Sequence, residues 1–135
     1  MGAFSRSKGQ RGERELASML SPLMGETVRR NLDQDRDKGN QDILAVPGFA
    51  IEVKRVETLC RKTWWNHLIK YLDDGLHPVL AFRQNRKQWR FLVTPELLNG
   101  DPHTACTYDD AIEVDWEIIS KIFIKHISLH NAPKA

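Results

Sequence analysis

The stretch "FAIEVKRVE", Phe49 to Glu57, decides the fold. From Ile51 to Lys54 apolar side chains alternate with longer charged ones, the two-residue period of a β-strand, so Ile51 and Val53 share one face while Glu52 and Lys54 share the other. The alternation predicts one face given to the core and one to chemistry. Just upstream, "DILAV" and "PG" complete a hairpin, two short runs joined at a Pro-Gly turn. A register centred on Gly48 pairs Val46 with Ala50, Leu44 with Glu52 and Asp42 with Lys54. It gathers Asp42, Glu52 and Lys54 on one side and Ile43, Ala45, Ile51 and Val53 on the other, and a shift by two residues leaves that grouping intact.

Working outward, Leu16, Met19, Leu20 and Leu23 recur at helical spacing and predict a helix from Gln10 to Met24, ended near Gly25 and preceded by a flexible basic arm over residues 1–9. "TVRRNL" reads as a short strand and "DQDRDKGNQ" as a charged loop. "TWWNHLIKYLDDG" has a helix start at Thr63 and a glycine stop at Gly75, with Trp65, Leu68, Ile69 and Leu72 on its apolar stripe. "PVLAFR" and "WRFLVTP" are two further strands. "AIEVDWEIISKIFIKHI" contains a final helix opening near Asp115, with Ile118, Ile119, Ile122 and Phe123 buried, and residues 128–135 form a frayed tail. This order of elements predicts an α/β fold, a mixed β-sheet flanked by helices.

The chain has 135 residues, 41% hydrophobic and 28% charged, which suits a single domain over 1–135 with one core. A net charge of +2 does not in itself point to nucleic acid, but its distribution is uneven. Residues 1–95 carry 17 basic and 11 acidic side chains, whereas 96–117 carry seven acids and no lysine or arginine. Positive charge therefore collects on the part that holds Asp42, Glu52 and Lys54. Cys60 and Cys106 fit no metal-ligand spacing and imply no disulfide framework. With no long apolar run and no signal-peptide pattern, the expectation is a soluble, intracellular, cytoplasmic protein with no membrane partner.

Two carboxylates on neighbouring strands, with a lysine two residues beyond the second, are the parts needed to cut a phosphodiester with a divalent metal. The carboxylates of Asp42 and Glu52, helped by the main-chain carbonyl of Val53, suit Mg²⁺, with Mn²⁺ able to substitute. The lysine can orient the attacking water and offset charge in the transition state. The ordinary meaning of a lone "ExK" is an exposed cross-strand ion pair, so the upstream Asp42 and the helix bearing Glu13 are what sharpen the signal.

The blocks "KGQRGEREL", "QDILAV", "AIEVK", "HPVLAF" and "WRFLV", running in that order from about Lys8 to Pro95, resemble the archaeal-type Holliday junction resolvases and their phage-borne relatives within the PD-(D/E)xK nuclease superfamily. The resemblance implies a restriction-endonuclease-like fold and Mg²⁺-dependent paired cleavage of four-way DNA junctions by a homodimer, with no small-molecule cofactor. It makes Asp42 and Glu52 the metal ligands, has Glu13 help hold metal or water, and makes Lys54 the catalytic lysine. It assigns junction phosphates to Arg14 and to Arg29 or Arg30. Two other readings remain: a nuclease of the same superfamily acting on flaps, ends or mismatches, and a non-catalytic DNA-binding module of the same fold.

Arg6, Lys8, Arg11 and Arg14 are either a phosphate-tracking arm or a solvated helix start. Arg61 and Lys62 follow the active strand closely and extend the basic surface toward DNA. Trp64 and Trp65 are adjacent, so only one can lie on the core stripe, and the other stacks on a base, fills an interface or sits half-buried. His67 is read as structural. Asp33, Asp35 and Asp37 lack the spacing of a calcium loop. Glu113, Asp115 and Glu117 of "AIEVDWE" form an acidic patch that would repel DNA, and it either faces away from nucleic acid or binds a partner.

Overall fold

A computed structural model of the chain describes residues 2–24, 46–99 and 107–131. Within these, helix α1 (Gly2–Met24) precedes strand β1 (Phe49–Arg55), helix α2 (Arg61–Lys70), strands β2 (His77–Arg83) and β3 (Arg90–Val93), a one-turn helix α3 (Glu96–Asn99), a 3₁₀ turn (Tyr108–Asp110), strand β4 (Ile112–Asp115) and helix α4 (Trp116–Asn131). The strands form one sheet in the order β1-β2-β3-β4. β1 and β2 run parallel, which requires a crossover, and α2 supplies it; the remaining pairs are antiparallel. The fold is thus a mixed sheet flanked by helices, α/β and restriction-endonuclease-like as expected.

The two faces of the sheet carry different cores. On one, Phe49, Ile51 and Val53 of β1 join Val79, Ala81, Phe91, Val93 and Val114 beneath Leu16, Ala17 and Leu20 of α1 and Ile119 and Phe123 of α4. On the other, Ala50, Leu80, Phe82 and Leu92 pack under Trp65 and Leu68 of α2. The expected division of β1 into a core face and a chemical face therefore holds only for its second half. Ala50, on the same side as Glu52 and Lys54, is fully buried because the α2 crossover roofs that side of the sheet.

Several boundaries move from the sequence reading. α1 begins at Gly2, ahead of Gln10, and so takes in the segment expected as an arm. α2 starts at Arg61 instead of Thr63 and ends at Lys70, well before Gly75, which sits in a turn with φ +85°. The main difference is β4, a strand in the stretch read as leading into the last helix. Asp115 ends β4 and opens α4 in one residue, its Oδ1 accepting the Ile118 N–H at 3.0 Å as an N-cap. Ile118, expected to be buried, is 43% exposed and Ile122 is only partly buried, while Ile119 and Phe123 are buried as expected. α4 continues to Asn131, into the segment expected to fray.

The Pro-Gly turn is present, closed more tightly than a register centred on Gly48 requires. Phe49 N–H donates to the Val46 carbonyl at 3.1 Å, leaving Pro47 and Gly48 as the two central residues. Gly48 has φ +84°, a conformation favoured by glycine, as the third residue of a type II turn. Val46 packs with Phe49, Ile51 and Val53 and is on the face opposite Ala50, so the expected Val46–Ala50 pairing does not form. The expected strands "TVRRNL" and residues 42–45 of the hairpin lie outside the described residues. No described helix is long and apolar enough to cross a membrane.

Candidate active site

Strand parity puts Glu52 and Lys54 on the α2 side of β1, toward the end where α2 begins. Glu52 is 7% exposed, an unusual depth for a carboxylate, and lies 3.6 Å from Lys54 Nζ. Lys54 keeps about a third of its side chain exposed and carries its ammonium 5.9 Å from the centroid of the Trp64 ring. The adjacent tryptophans thus divide their work: Trp65 is fully buried under the sheet, and half-buried Trp64 turns to the lysine. A cation over a tryptophan face is held by the ring quadrupole. Lys54 is therefore positioned from two directions, by charge from its own strand and by an aromatic surface from α2.

Backbone geometry adds an oxygen. Gly48 C=O accepts from His77 N–H at 2.8 Å and Val56 N–H donates to Arg83 C=O at 3.2 Å, so even-numbered residues of β1 turn their amides toward β2. By the alternation of a parallel strand, Val53 turns its carbonyl away from β2. The Glu52 carboxylate and this carbonyl are the hard oxygen donors that a divalent cation such as Mg²⁺ takes, so the chemistry of the donor set fits such an ion. Among the described residues, no group of three or more Asp, Glu, His or Cys is placed to hold a metal. Asp42, the second expected carboxylate, lies outside the described residues, as do Arg29 and Arg30.

α1 crosses β1 on the opposite side at Gly12. A Cβ added there would lie 2.6 Å from Arg55 Cβ, so the helix backbone rests directly on the strand. Half-buried Glu13 follows Gly12 on that helix. Arg11 and Arg14 are exposed on α1, and the Lys8 side chain is outside the described part of that helix. Lys62 is exposed at the start of α2. Arg61, expected to extend the basic surface, is also tied to the sheet. Its guanidinium donates to Glu113 Oε1 at 2.8 Å, while Arg90 Nε donates to Glu113 Oε2 at 2.9 Å. The acidic patch expected to face away from the site is thus, at Glu113, part of its basic surround.

Sequence reasoning also missed Glu15. Its carboxylate accepts from Arg55 Nε at 3.2 Å and from Arg83, tying α1 to the ends of β1 and β2. Arg55 donates onward to Asn85 Oδ1 at 2.6 Å, and the Glu57 carboxylate accepts the Asn85 N–H at 2.8 Å. The two arginines stand at the last positions of two strands predicted as such. What joins them is a helix residue 40 and 68 positions away, a separation no local pattern encodes. His67, read as structural, packs against Tyr71 with ring centroids 4.8 Å apart and the planes tilted by 54°, and exposed Cys60 is a free thiol.

A mixed sheet between helices, with a sunken carboxylate and a lysine side by side at the end of one strand, defines a restriction-endonuclease-like domain. A family model described as phage putative PDDEXK endonuclease matches residues 4–127, and the chain belongs to that family. Membership places it among the PD-(D/E)xK nucleases, with DNA as the implied substrate class. No curated protein and no solved structure matches the chain.

Proposed function

We propose that the chain is a Mg²⁺-dependent DNA endonuclease that selects branched structure over base sequence and cuts four-way junctions in symmetric pairs as a homodimer. The observation that carries the nuclease chemistry is the Glu52–Lys54 pair, a carboxylate sunk to 7% exposure yet held 3.6 Å from a partly exposed ammonium. Burying a carboxylate is costly, and the strand bears that cost at the one place where a hydrolytic site needs it. Glu52, the Val53 carbonyl and Asp42 would hold the metal, with Glu13 as a further candidate from α1. The ion, when bound, supplies an acidified water and charge neutralisation at the phosphate. Lys54 orients the attacking water and offsets the charge that grows on the phosphate oxygens.

Four-way junctions are proposed from the resemblance of the sequence blocks to resolvases. On that reading the enzyme recognises branched shape and phosphates more than base sequence. The test is Mg²⁺-dependent cleavage of an end-labelled four-way junction beside a flap and a linear duplex of the same sequence, with Lys54→Ala as control. Paired symmetric cuts in the junction alone, lost in the variant, are expected. Equal cutting of all three DNAs would replace the resolvase reading with a repair nuclease, and tight binding without cutting in Mg²⁺ or Mn²⁺ would leave a binding module.

A further inference from the structure

We infer that the pocket beside Lys54, floored by Phe82 and walled by the Arg61–Glu113–Arg90 triad, is an anion subsite that holds a backbone phosphate of the substrate next to the one cut; the inference rests on the nuclease reading above. The pocket has a volume of about 280 Å³, and its lining holds the cationic residues Arg61, Lys87 and Arg90, with Arg83 already paired to Glu15, against the single acidic residue Glu113. Its position follows from the sheet register. Lys54 pairs with Phe82 across β1 and β2, and Phe82 pairs with Arg90 across β2 and β3, so the three stand in one row on the α2 face. Arg61 lies with its guanidinium 6.0 Å from the Phe82 ring centroid, above the middle of that row. The candidate lysine and the arginine pair therefore border the same aromatic floor.

The triad is built to present charge. One carboxylate shared by two guanidiniums leaves a net positive charge, and each guanidinium has five N–H donors of which Glu113 takes one. Both arginines keep about 40% of their side chains exposed, so their outer edges reach solvent. Glu113 fixes two long side chains in one orientation before any ligand arrives, which lowers the entropy lost on binding. Phosphate is an anion whose geometry planar, forked guanidiniums match, and in a nuclease the polymer itself carries further phosphates alongside the scissile one.

The experiment measures binding of a four-way junction by fluorescence anisotropy across 50 to 200 mM salt, using Glu52→Gln protein so that the DNA stays intact, alone and with Arg61→Gln or Arg90→Gln added. Glutamine keeps a hydrogen bond to Glu113 within reach. Each phosphate contact adds about 0.9 to the slope of log affinity on log salt, so each variant should flatten the slope by roughly one. Lys121→Ala, 74% exposed on α4, should leave the slope unchanged. In the cutting-competent background, the same arginine variants should raise KM several-fold more than they lower kcat. Unchanged slopes in both arginine variants, with the Glu52→Gln protein binding the junction and the wild-type protein cutting it, would overturn the subsite and leave the triad as a strap between α2 and the sheet. A wild-type protein that neither binds nor cuts DNA would instead remove the nuclease reading itself. If either glutamine variant melts early, Arg90→Lys replaces it, and a preserved slope with raised KM in that variant supports the forked geometry.

Discussion

Lys54 is confined by two weak interactions of different kind, an ion pair at 3.6 Å and a ring at 5.9 Å, and the balance between them decides what each substitution does. Replacing Trp64 by Leu removes the quadrupole and keeps apolar bulk. A half-exposed cation–π contact is worth about 0.5–1 kcal/mol, so single-turnover cutting should fall about 2- to 5-fold while Tm barely moves. Glu52→Gln is a different change, because it keeps the shape and removes the charge that both positions Lys54 and would hold the metal. Cutting should fall by on the order of 10²-fold or more, with junction binding largely kept because basic contacts to phosphates supply most of the affinity. Loss of binding and cutting together, with a collapsed melting curve, would show that Glu52 serves the fold and not the chemistry.

Among the elements, those whose residues repeat with a period were legible and those defined by distant partners were not. β1, β2 and β3 could be read from short β-branched and aromatic runs, and the buried face of α1 from Leu16 and Leu20. β4 escaped because "IEVD" is four residues long, carries acids at two of them and passes into α4 with no turn between. Its strand character depends on Arg90 and Phe91 across the ladder and on Arg61 from α2 to neutralise Glu113. The site was half legible: the "ExK" parity foresaw the Glu52–Lys54 pair, while Glu15 and Glu113, each clamping two arginines from other elements, left no trace in spacing. The α1–β1 crossing is such a long-range feature and gives a sharp expectation. Gly12→Ala drives a Cβ to 2.6 Å from a Cβ of the strand, where neither backbone can yield cheaply, and should cost about 1–3 kcal/mol in urea unfolding. Ser18→Ala, on the exposed side of the same helix, should be neutral. Glu15→Gln, which weakens a partly exposed bridge to Arg55 and Arg83, should cost only about 1 kcal/mol or less, because solvent screens such pairs.

At the scale of the whole molecule the question is how one small domain with one candidate site could make two matched cuts. A four-way junction has two equivalent strands to be cut, and a two-fold pair of chains presents two sites in the same relation. If the proposed homodimer acts in this way, each chain cuts one strand with its own Glu52 and Lys54, and the two sites are separable. Mixing differently tagged wild-type and Glu52→Gln chains, and isolating the mixed dimer by sequential affinity steps, should give a species that nicks one strand of the junction and leaves the opposite strand whole. Its rate on that strand should stay within about 2-fold of the wild-type dimer, since 2-fold is only about 0.4 kcal/mol in the barrier and the remaining site is intact. Full paired cutting by the mixed dimer would mean that one site serves both strands in turn. A complete loss of cutting would mean that the sites are completed across the interface, and a single chain eluting alone from the first affinity step would remove the dimer from the proposal.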